Sequence, residues 1–252
     1  MQKLRLTGRT LAAYFDLIEK QAGSYRNLFR GQLDESWPLI PSLYRTTPNV
    51  MGAPAKEAFD DFEMRCLQHF FREGHPYLPT LQRGYANDRI IAQHFGVPTR
   101  LLDWSRDPLV ALYFAVEQSQ ALVDAAVYML TPNATISPDA IRLDNPQYPA
   151  IAVVPPAIDR RIPAQKSVFT IHPYGDPTKP FEPLDNRQEI GATYGGTDGT
   201  IQAFVKIIIP AHVTTTLRHA LLNAGVDRRN LFPGLDGVGQ DTATRAKLGY
   251  LV

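Results

Sequence analysis

The sequence predicts an α+β fold in which a helical N-terminal half packs on a mixed or antiparallel split β-sheet, formed largely by the C-terminal half. Apolar residues at helical spacing dominate the first half of the chain, whereas most short apolar runs between turn residues lie in the second half. That segregation favours α+β over a doubly wound sheet. No internal repeat or interdomain linker interrupts the pattern, so residues 1–252 are expected to form a single domain with a core of about 25–240.

The predicted helices are recognised by apolar spacing and by the residues at their ends. The clearest start is Asp107, a good N-cap, followed by Pro108, which suits the first helical position. The residues after Pro108 are almost all apolar, so this helix should be buried on most sides. Further helices are predicted over 11–18, 56–72, 87–95 and 217–224, with Asn87 capping the helix over 87–95 and with Gly23, Gly74, Gly96 and Gly225 as stops.

The predicted strands are short apolar runs bounded by turn residues. Between the predicted strands at 167–172 and 201–209, residues 174–200 are rich in Pro, Gly, Asp and Thr, which predicts a long surface loop that can act as a lid over a site. Within it, the glycine-rich residues 195–199 precede a strand, so they are expected to form a turn and not a phosphate-binding loop. Strands are predicted over 27–31, 125–130, 152–154, 167–172 and 201–209.

Composition limits the classes of function. Lys and Arg number 26 against 25 Asp and Glu, so the charge implies no general affinity for nucleic acid, although a local basic patch stays open. No apolar run is long enough for a membrane span, which predicts a cytoplasmic protein without membrane association. The single cysteine, Cys66, falls in a helical pattern typical of a core thiol. Six histidines lack the spacing of metal ligands, so no metal is expected.

Arg30 is the first candidate functional residue. It directly follows an apolar, strand-like run and precedes Gly31. Its guanidinium offers a rigid fork of donors that suits phosphate or carboxylate, and the glycine lets a ligand or another backbone come close. The alternative is a structural ion pair with a buried carboxylate, for which Asp103 is the candidate. Both interpretations remain open at this point.

A second concentration of hydrogen-bonding groups lies between Thr99 and Ser105, just before the buried helix. Together with Asp103, these residues can hold a ligand or organise the loop. His94, at the end of a predicted helix, faces this segment and is favoured as a core histidine bonded to backbone. Trp104 can stack on a ring, but a tryptophan beside a buried helix is more often part of the core.

These segments resemble the FRG domain, a family named for its Phe/Tyr-Arg-Gly motif. The resemblance spans about 25–240, nearly the whole chain. The family occurs mainly in bacteria and their phages, which implies a role in bacterial or phage conflict such as antiviral defence. It is poorly characterised, so membership does not name a reaction. The matching segments are Phe29-Arg30-Gly31-Gln32, then 37–45, 92–105, 108–115 and 231–237.

The order of motifs is also similar to that of the ADP-ribosyltransferases, which implies an ADP-ribosyltransferase-like fold with NAD as substrate. In that superfamily an Arg ends an early strand, a Ser/Thr-containing strand follows, and a Val-Ala-x-x-Phe-Ala helix precedes a strand that begins with a catalytic Glu. Arg30-Gly31 matches the first element, 99–105 the second and 110–115 the helix. Gln165 stands at the position of the Glu.

The residues and the resemblance together imply a site. Arg and hydroxyl groups would hold the pyrophosphate and ribose of NAD, and a negative charge would stabilise the oxocarbenium-like transition state. The expected catalytic residues are Arg30, Asp103 and Gln165. The expected NAD contacts are Arg30, Gly31, Gln32, His94, Thr99, Arg100, Asp103, Trp104 and Ser105.

The neutral Gln165 departs from the superfamily pattern. Loss of a preorganised charge at the reacting centre lowers the rate by about two to three powers of ten. Either Asp103 or another carboxylate supplies the charge, or the domain binds without catalysing. Three functions follow: an NAD-dependent ADP-ribosyltransferase or NAD glycohydrolase with an unknown macromolecular target, a non-catalytic sensor of a small-molecule nucleotide or phage component, and a hydrolase or nuclease using Asp103 and His94, with or without a metal.

Overall fold

The computed structural model describes residues 1–21, 26–45, 59–78, 83–118, 122–132, 135, 137–141, 150–172, 181–186 and 203–250. Within these ranges the chain forms nine α-helices and one mixed sheet of seven strands, so the α+β class predicted from the sequence is confirmed. No helix in this part of the chain is both long and apolar enough to cross a membrane.

The strands are β1 (Gln2–Arg5), β2 (Leu28–Gln32), β3 (Leu101–Ser105), β4 (Ala125–Thr131), β5 (Ile151–Val153), β6 (Ser167–Ile171) and β7 (Ala203–Ile209). Their order across the sheet is β1-β7-β4-β2-β3-β6-β5. Strands β1 and β7 are parallel, whereas every other neighbouring pair is antiparallel.

The helices are α1 (Leu11–Gln21), α2 (Ser42–Arg45), α3 (Phe59–Gly74), α4 (Tyr85–His94), α5 (Pro108–Val116), α6 (Arg161–Ala164), α7 (Ala211–Asn223), α8 (Arg228–Leu231) and α9 (Leu235–Leu248). Helices α1, α5 and α7 cover one face of the sheet, where Tyr14, Leu112 and Leu217 pack in one buried cluster with Val127 and Ile207. This cluster is the larger part of the core.

The opposite face of the sheet is covered by loop residues. Leu39 and Leu184 pack there with Trp104 and Tyr128 in a second buried cluster. The loop that contains Leu39 is fastened to the chain near Leu184, because the backbone N–H of Leu184 donates to the carbonyl of Leu39 at 2.9 Å.

The sheet opens between its two central strands. Strands β2 and β3 pair at one position, Phe29 opposite Ser105. Each strand is fully paired on its other side, β2 with β4 and β3 with β6. Beyond the single paired position the edges of β2 and β3 therefore face a gap within one mixed sheet.

Helix α5 is fixed beside this opening by its N-cap and by one glycine. As predicted, Asp107 caps the helix by accepting a hydrogen bond at 2.8 Å from the N–H of the second helical residue, and Pro108 occupies the first position. A Cβ atom on Gly31 of β2 would lie 2.0 Å from the carbonyl oxygen of Ala111 and 2.6 Å from the nitrogen of Ala115. Only glycine allows the helix to approach the strand so closely.

Two predicted features differ from the structure. Among the described residues the halves are less segregated than expected, because three strands lie in the first half and four helices, α6 to α9, in the second. Helix α4 begins at Tyr85 with Gly84 as N-cap, whereas Asn87 lies inside the helix, where its side chain donates to Asp139 at 3.2 Å. Gly96 does follow this helix, with the positive φ of 86° that a glycine stop provides.

Some predictions fall outside the described residues. These are the stop at Gly23, the start of the second predicted helix at 56–58, the turn at 195–199, and the lid segment 174–200 apart from residues 181–186.

A buried ion network fastens α3 and α4 to the start of β3. The fully buried Glu63 accepts from the Nε atoms of Arg89 at 2.9 Å and of Arg100 at 3.0 Å. The backbone N–H of Arg100 also donates to Glu63, at 2.9 Å. One carboxylate thus holds two buried cations and the chain directly before β3.

Candidate functional site

A cleft of about 630 Å³ lies where β2 and β3 separate. Small-ligand sites have volumes of roughly 300–1,000 Å³, so this cleft is large enough for a nucleotide. It brings together the three predicted catalytic residues, Arg30 of β2, Asp103 of β3 and Gln165 of the turn before β6. Four predicted NAD contacts also line it: Gly31, Gln32, Trp104 and Ser105.

The Arg30 guanidinium bridges the gap between the strands. Its Nη1 donates to the backbone carbonyl of Asp103 at 2.7 Å and lies 3.6 Å from the Asp103 carboxylate. Burial lowers the pKa of Arg30, an effect that the nearby charge of Asp103 opposes, and the group stays a cation at neutral pH. Its Nε is buried without a hydrogen-bond partner among the described residues. Arg30 therefore keeps donor capacity for an anion.

The Asp103 carboxylate is positioned by a residue behind the cleft. Gln93 donates through Nε2 to Asp103 Oδ2 at 3.0 Å, and Gln93 Oε1 accepts from the hydroxyl of Thr99. The Asp103 side chain is 59% exposed, so a ligand can reach it. Thr99, a predicted NAD contact, does not line the cleft and instead acts on Asp103 through Gln93.

The Gln165 side chain makes a structural contact. Its Nε2 donates to the carbonyl of Leu231 at 2.9 Å, while its own backbone carbonyl accepts from Ser105 Oγ at 2.7 Å. The same Ser105 hydroxyl accepts from the N–H of Asp107 at 2.9 Å. These bonds join β3 to the start of α5 and to the turn before β6. They also place a neutral amide, and not a carboxylate, on this wall of the cleft.

Aromatic side chains from distant segments form the apolar walls. Phe114 of α5 meets Phe232 edge-on, with ring centroids 6.1 Å apart, and both line the cleft. Trp37 lines it as well and is 50% exposed. The loop that carries Trp37 is anchored by Lys206, which donates to the Glu35 carboxylate at 2.6 Å. Such rings suit the stacking of a base.

These aromatic residues and one further cation, Arg45, are absent from the predicted site although they line the cleft. A signal for them was present in the sequence. Trp37, Arg45, Phe114 and Phe232 all fall in segments that carry the family resemblance. No local pattern distinguishes them from core or surface residues, however, because folding alone brings the segments together.

Two predicted NAD contacts, Arg100 and His94, lie away from the cleft. Arg100 is 2% exposed and belongs to the ion network around Glu63. His94 Nε2 lies 3.3 Å from Asp159 Oδ1, and burial lowers the pKa of His94 despite the opposing charge of Asp159. Asp103 therefore lines the cleft, whereas His94 does not.

Trp104 contributes to the core as well as to the cleft. It is 3% exposed, and its indole Nε1 donates to the hydroxyl of Thr170 at 3.0 Å. Trp104 is therefore a core tryptophan, as one interpretation of the sequence expects, and its ring also lines the cleft, as the stacking interpretation requires.

Comparison with known proteins gives one match. The family model described as "FRG domain" matches residues 25–123, a range that includes Arg30, Asp103 and α5. No curated protein and no solved structure matches the chain at a significant level. The chain therefore matches the FRG domain over residues 25–123, and this part supplies two of the strands and the helix around the cleft.

Proposed function

We propose that the cleft binds NAD and that the domain acts as an ADP-ribosyltransferase or NAD glycohydrolase. One observation supports this proposal above all: Arg30, Asp103 and Gln165, which come from three separate segments, line one cleft with aromatic walls. A dinucleotide needs cations for its phosphates and flat apolar surfaces for its rings, and the cleft offers both.

In the proposed complex Arg30 binds the pyrophosphate, and Arg45 is the second cation lining the cleft. The bond between ribose C1′ and the nicotinamide nitrogen breaks, and nicotinamide leaves with the bonding electron pair. Water or an acceptor group forms the new bond to C1′ and releases a proton to solvent. Asp103 supplies negative charge near the oxocarbenium-like transition state in place of the missing Glu.

A non-catalytic sensor is the second candidate, and a specific observation favours it. The Gln165 amide is neutral and is held by the carbonyl of Leu231. If Asp103 does not compensate for the missing charge, the domain binds the nucleotide without turnover.

Two measurements distinguish the transferase or glycohydrolase from the non-catalytic sensor: calorimetry with NAD and chromatographic detection of nicotinamide. Each is made on the wild type, Arg30→Ala and Asp103→Asn. The transferase proposal expects binding and nicotinamide release by the wild type. It expects NAD binding weakened about 10- to 100-fold in Arg30→Ala, with release reduced accordingly. In Asp103→Asn, release should be slowed about 10²–10³-fold with binding retained. Arg83→Ala and Asp88→Asn are the matched controls, because they disrupt an exposed Arg–Asp pair of 2.7 Å outside the cleft. Binding without release supports the sensor, and absence of NAD binding contradicts both.

The proposal includes a cytoplasmic location, which would give access to the NAD pool, and a role in conflict between bacteria and phages. Reporter fusions and phage challenge of cells that carry wild-type or Arg30→Ala protein test these two parts. Equal phage resistance of the two strains would contradict a defence role for the cleft.

A further inference from the structure

Gln32 ends β2 two positions after Arg30, so both side chains leave the strand on the same face. Gln32 lines the cleft and is 8% exposed. Its side-chain oxygen, Oε1, is buried and has no hydrogen-bond partner among the residues that the structure describes. The backbone position is ordinary, since Gln32 pairs with Ala126 of β4.

A buried amide oxygen without a partner is unfavourable, because the group has lost its water and gained no hydrogen bond. An apolar residue of similar size would avoid that loss if the position served packing alone. An unpartnered oxygen on a side chain that lines a ligand-sized cleft indicates that a ligand completes its hydrogen bonding. Because Oε1 can only accept, the ligand must present an N–H or O–H donor.

We propose that Gln32 is a specificity-determining residue that accepts a hydrogen bond from an amide or amino N–H on a ring of the ligand. This inference rests on the proposed function, because NAD carries two such groups, the nicotinamide carboxamide and the 6-amino group of adenine. The aromatic walls at Trp37 and Phe114 favour a donor attached to a ring. Arg30 and Gln32 then recognise different parts of one ligand from the same strand face, the phosphates and a base.

Dissociation constants for three dinucleotides identify the source of the donor. NAD is compared with nicotinic acid adenine dinucleotide, which has a carboxylate in place of the carboxamide, and with nicotinamide hypoxanthine dinucleotide, which lacks the 6-amino group. The wild type is expected to bind one of the two analogues about tenfold or more weakly than NAD, because that analogue leaves Oε1 unpartnered. The identity of the weakened analogue shows which ring Gln32 contacts.

Variants at Gln32 then link this discrimination to the residue. Gln32→Met keeps the approximate volume and removes the acceptor, so NAD affinity should fall and the affinities for NAD and the weakened analogue should converge. Gln32→Glu keeps an acceptor and should still prefer NAD. Gln68→Leu, an exposed position on α3, is the control and should bind all three ligands like the wild type. Circular dichroism and thermal melting verify that each variant is folded.

The outcomes separate this inference from the proposed function. If the wild type binds NAD and both analogues equally, or if Gln32→Met keeps the discrimination, the role of Gln32 is overturned while the proposed function stands. If the wild type does not bind NAD, both are overturned. If Gln32→Met is unfolded, the decision rests on the wild-type comparison and on Gln32→Glu.

Discussion

Arg30 donates to the backbone carbonyl of Asp103 at 2.7 Å, and its distance to the Asp103 carboxylate is longer, 3.6 Å. The guanidinium therefore satisfies a carbonyl at the edge where strand pairing has ended. The carboxylate meanwhile stays accessible from the cleft. This arrangement differs from a sealed structural ion pair, because both charges remain within reach of a ligand.

The fork of the Arg30 guanidinium should matter as well as its charge. Arg30→Ala is expected to weaken NAD binding about 10- to 100-fold, and Arg30→Lys should recover only part of that loss because an ammonium group cannot bridge two acceptors in the same geometry. Titration calorimetry measures both. Full recovery in Arg30→Lys would show that charge alone is sufficient.

Trp37 should report ligand binding through its fluorescence. The chain has two tryptophans, of which Trp37 is half exposed in the cleft and Trp104 is mostly buried. Stacking of a base on Trp37 should quench its emission, and Trp37→Phe should remove most of the quenching while keeping the fold. Quenching that persists in Trp37→Phe would assign the signal to Trp104.

Gly31→Ala should strongly destabilise the protein. The added Cβ would overlap the carbonyl of Ala111, so α5 must move away from β2. We expect a loss of about 3 kcal/mol or more in the free energy of unfolding, measured by urea denaturation. Gly239→Ala in α9 is the control, because no atom lies within 4 Å of its added Cβ, and it should stabilise by about 0.5–1 kcal/mol.

Glu63→Gln should destabilise the protein by about 3–5 kcal/mol, because it removes the charge that two buried arginines share. Chemical denaturation measures the change. Glu73→Gln is the control on the same helix. Glu73 forms an exposed ion pair with Arg72, and its substitution should have no measurable effect. Equal effects of the two substitutions would contradict a central role for the buried network.

His94 should make the protein less stable as the pH falls. Burial lowers its pKa in the folded state below the ordinary 6.5, so the unfolded chain takes up the proton first. Its contribution to stability is therefore complete above 6.5 and declines as the pH falls from 6.5 to the lowered value. Urea midpoints of the wild type and of His94→Gln, compared between neutral and mildly acidic pH, isolate this effect. A parallel pH dependence in both proteins would contradict it.

Local chemistry made part of the fold predictable. The cap at Asp107 and the proline after it identify α5, and Gly96 with its positive φ identifies the end of α4. Strand β1 was not predicted, because its residues are largely exposed and show no alternation. It is a strand because β7 pairs with it, and that partner lies at the other end of the sequence.

The site was predictable to the extent that motif order reflects position in the sheet. Arg30, Asp103 and Gln165 could be grouped for that reason. The sequence could not distinguish the structural Arg100 from these cleft residues, because its ion-pair partner Glu63 lies 37 positions earlier, on α3. The walls contributed by Trp37 and Phe232 depend on tertiary packing, which no short sequence pattern records.

The parallel pairing of β1 with β7 has a consequence for how the protein forms during synthesis. Residues 2–5 leave the ribosome well before their partner at 203–209, because strands β2 to β6 lie between the two segments in the sequence. The pairing of β1 with β7 at the outer edge of the sheet can therefore form only after β7 has been synthesised, since contacts between distant segments form last. Until then the nascent chain exposes the edge of β4 that β7 later covers, where chaperones could bind.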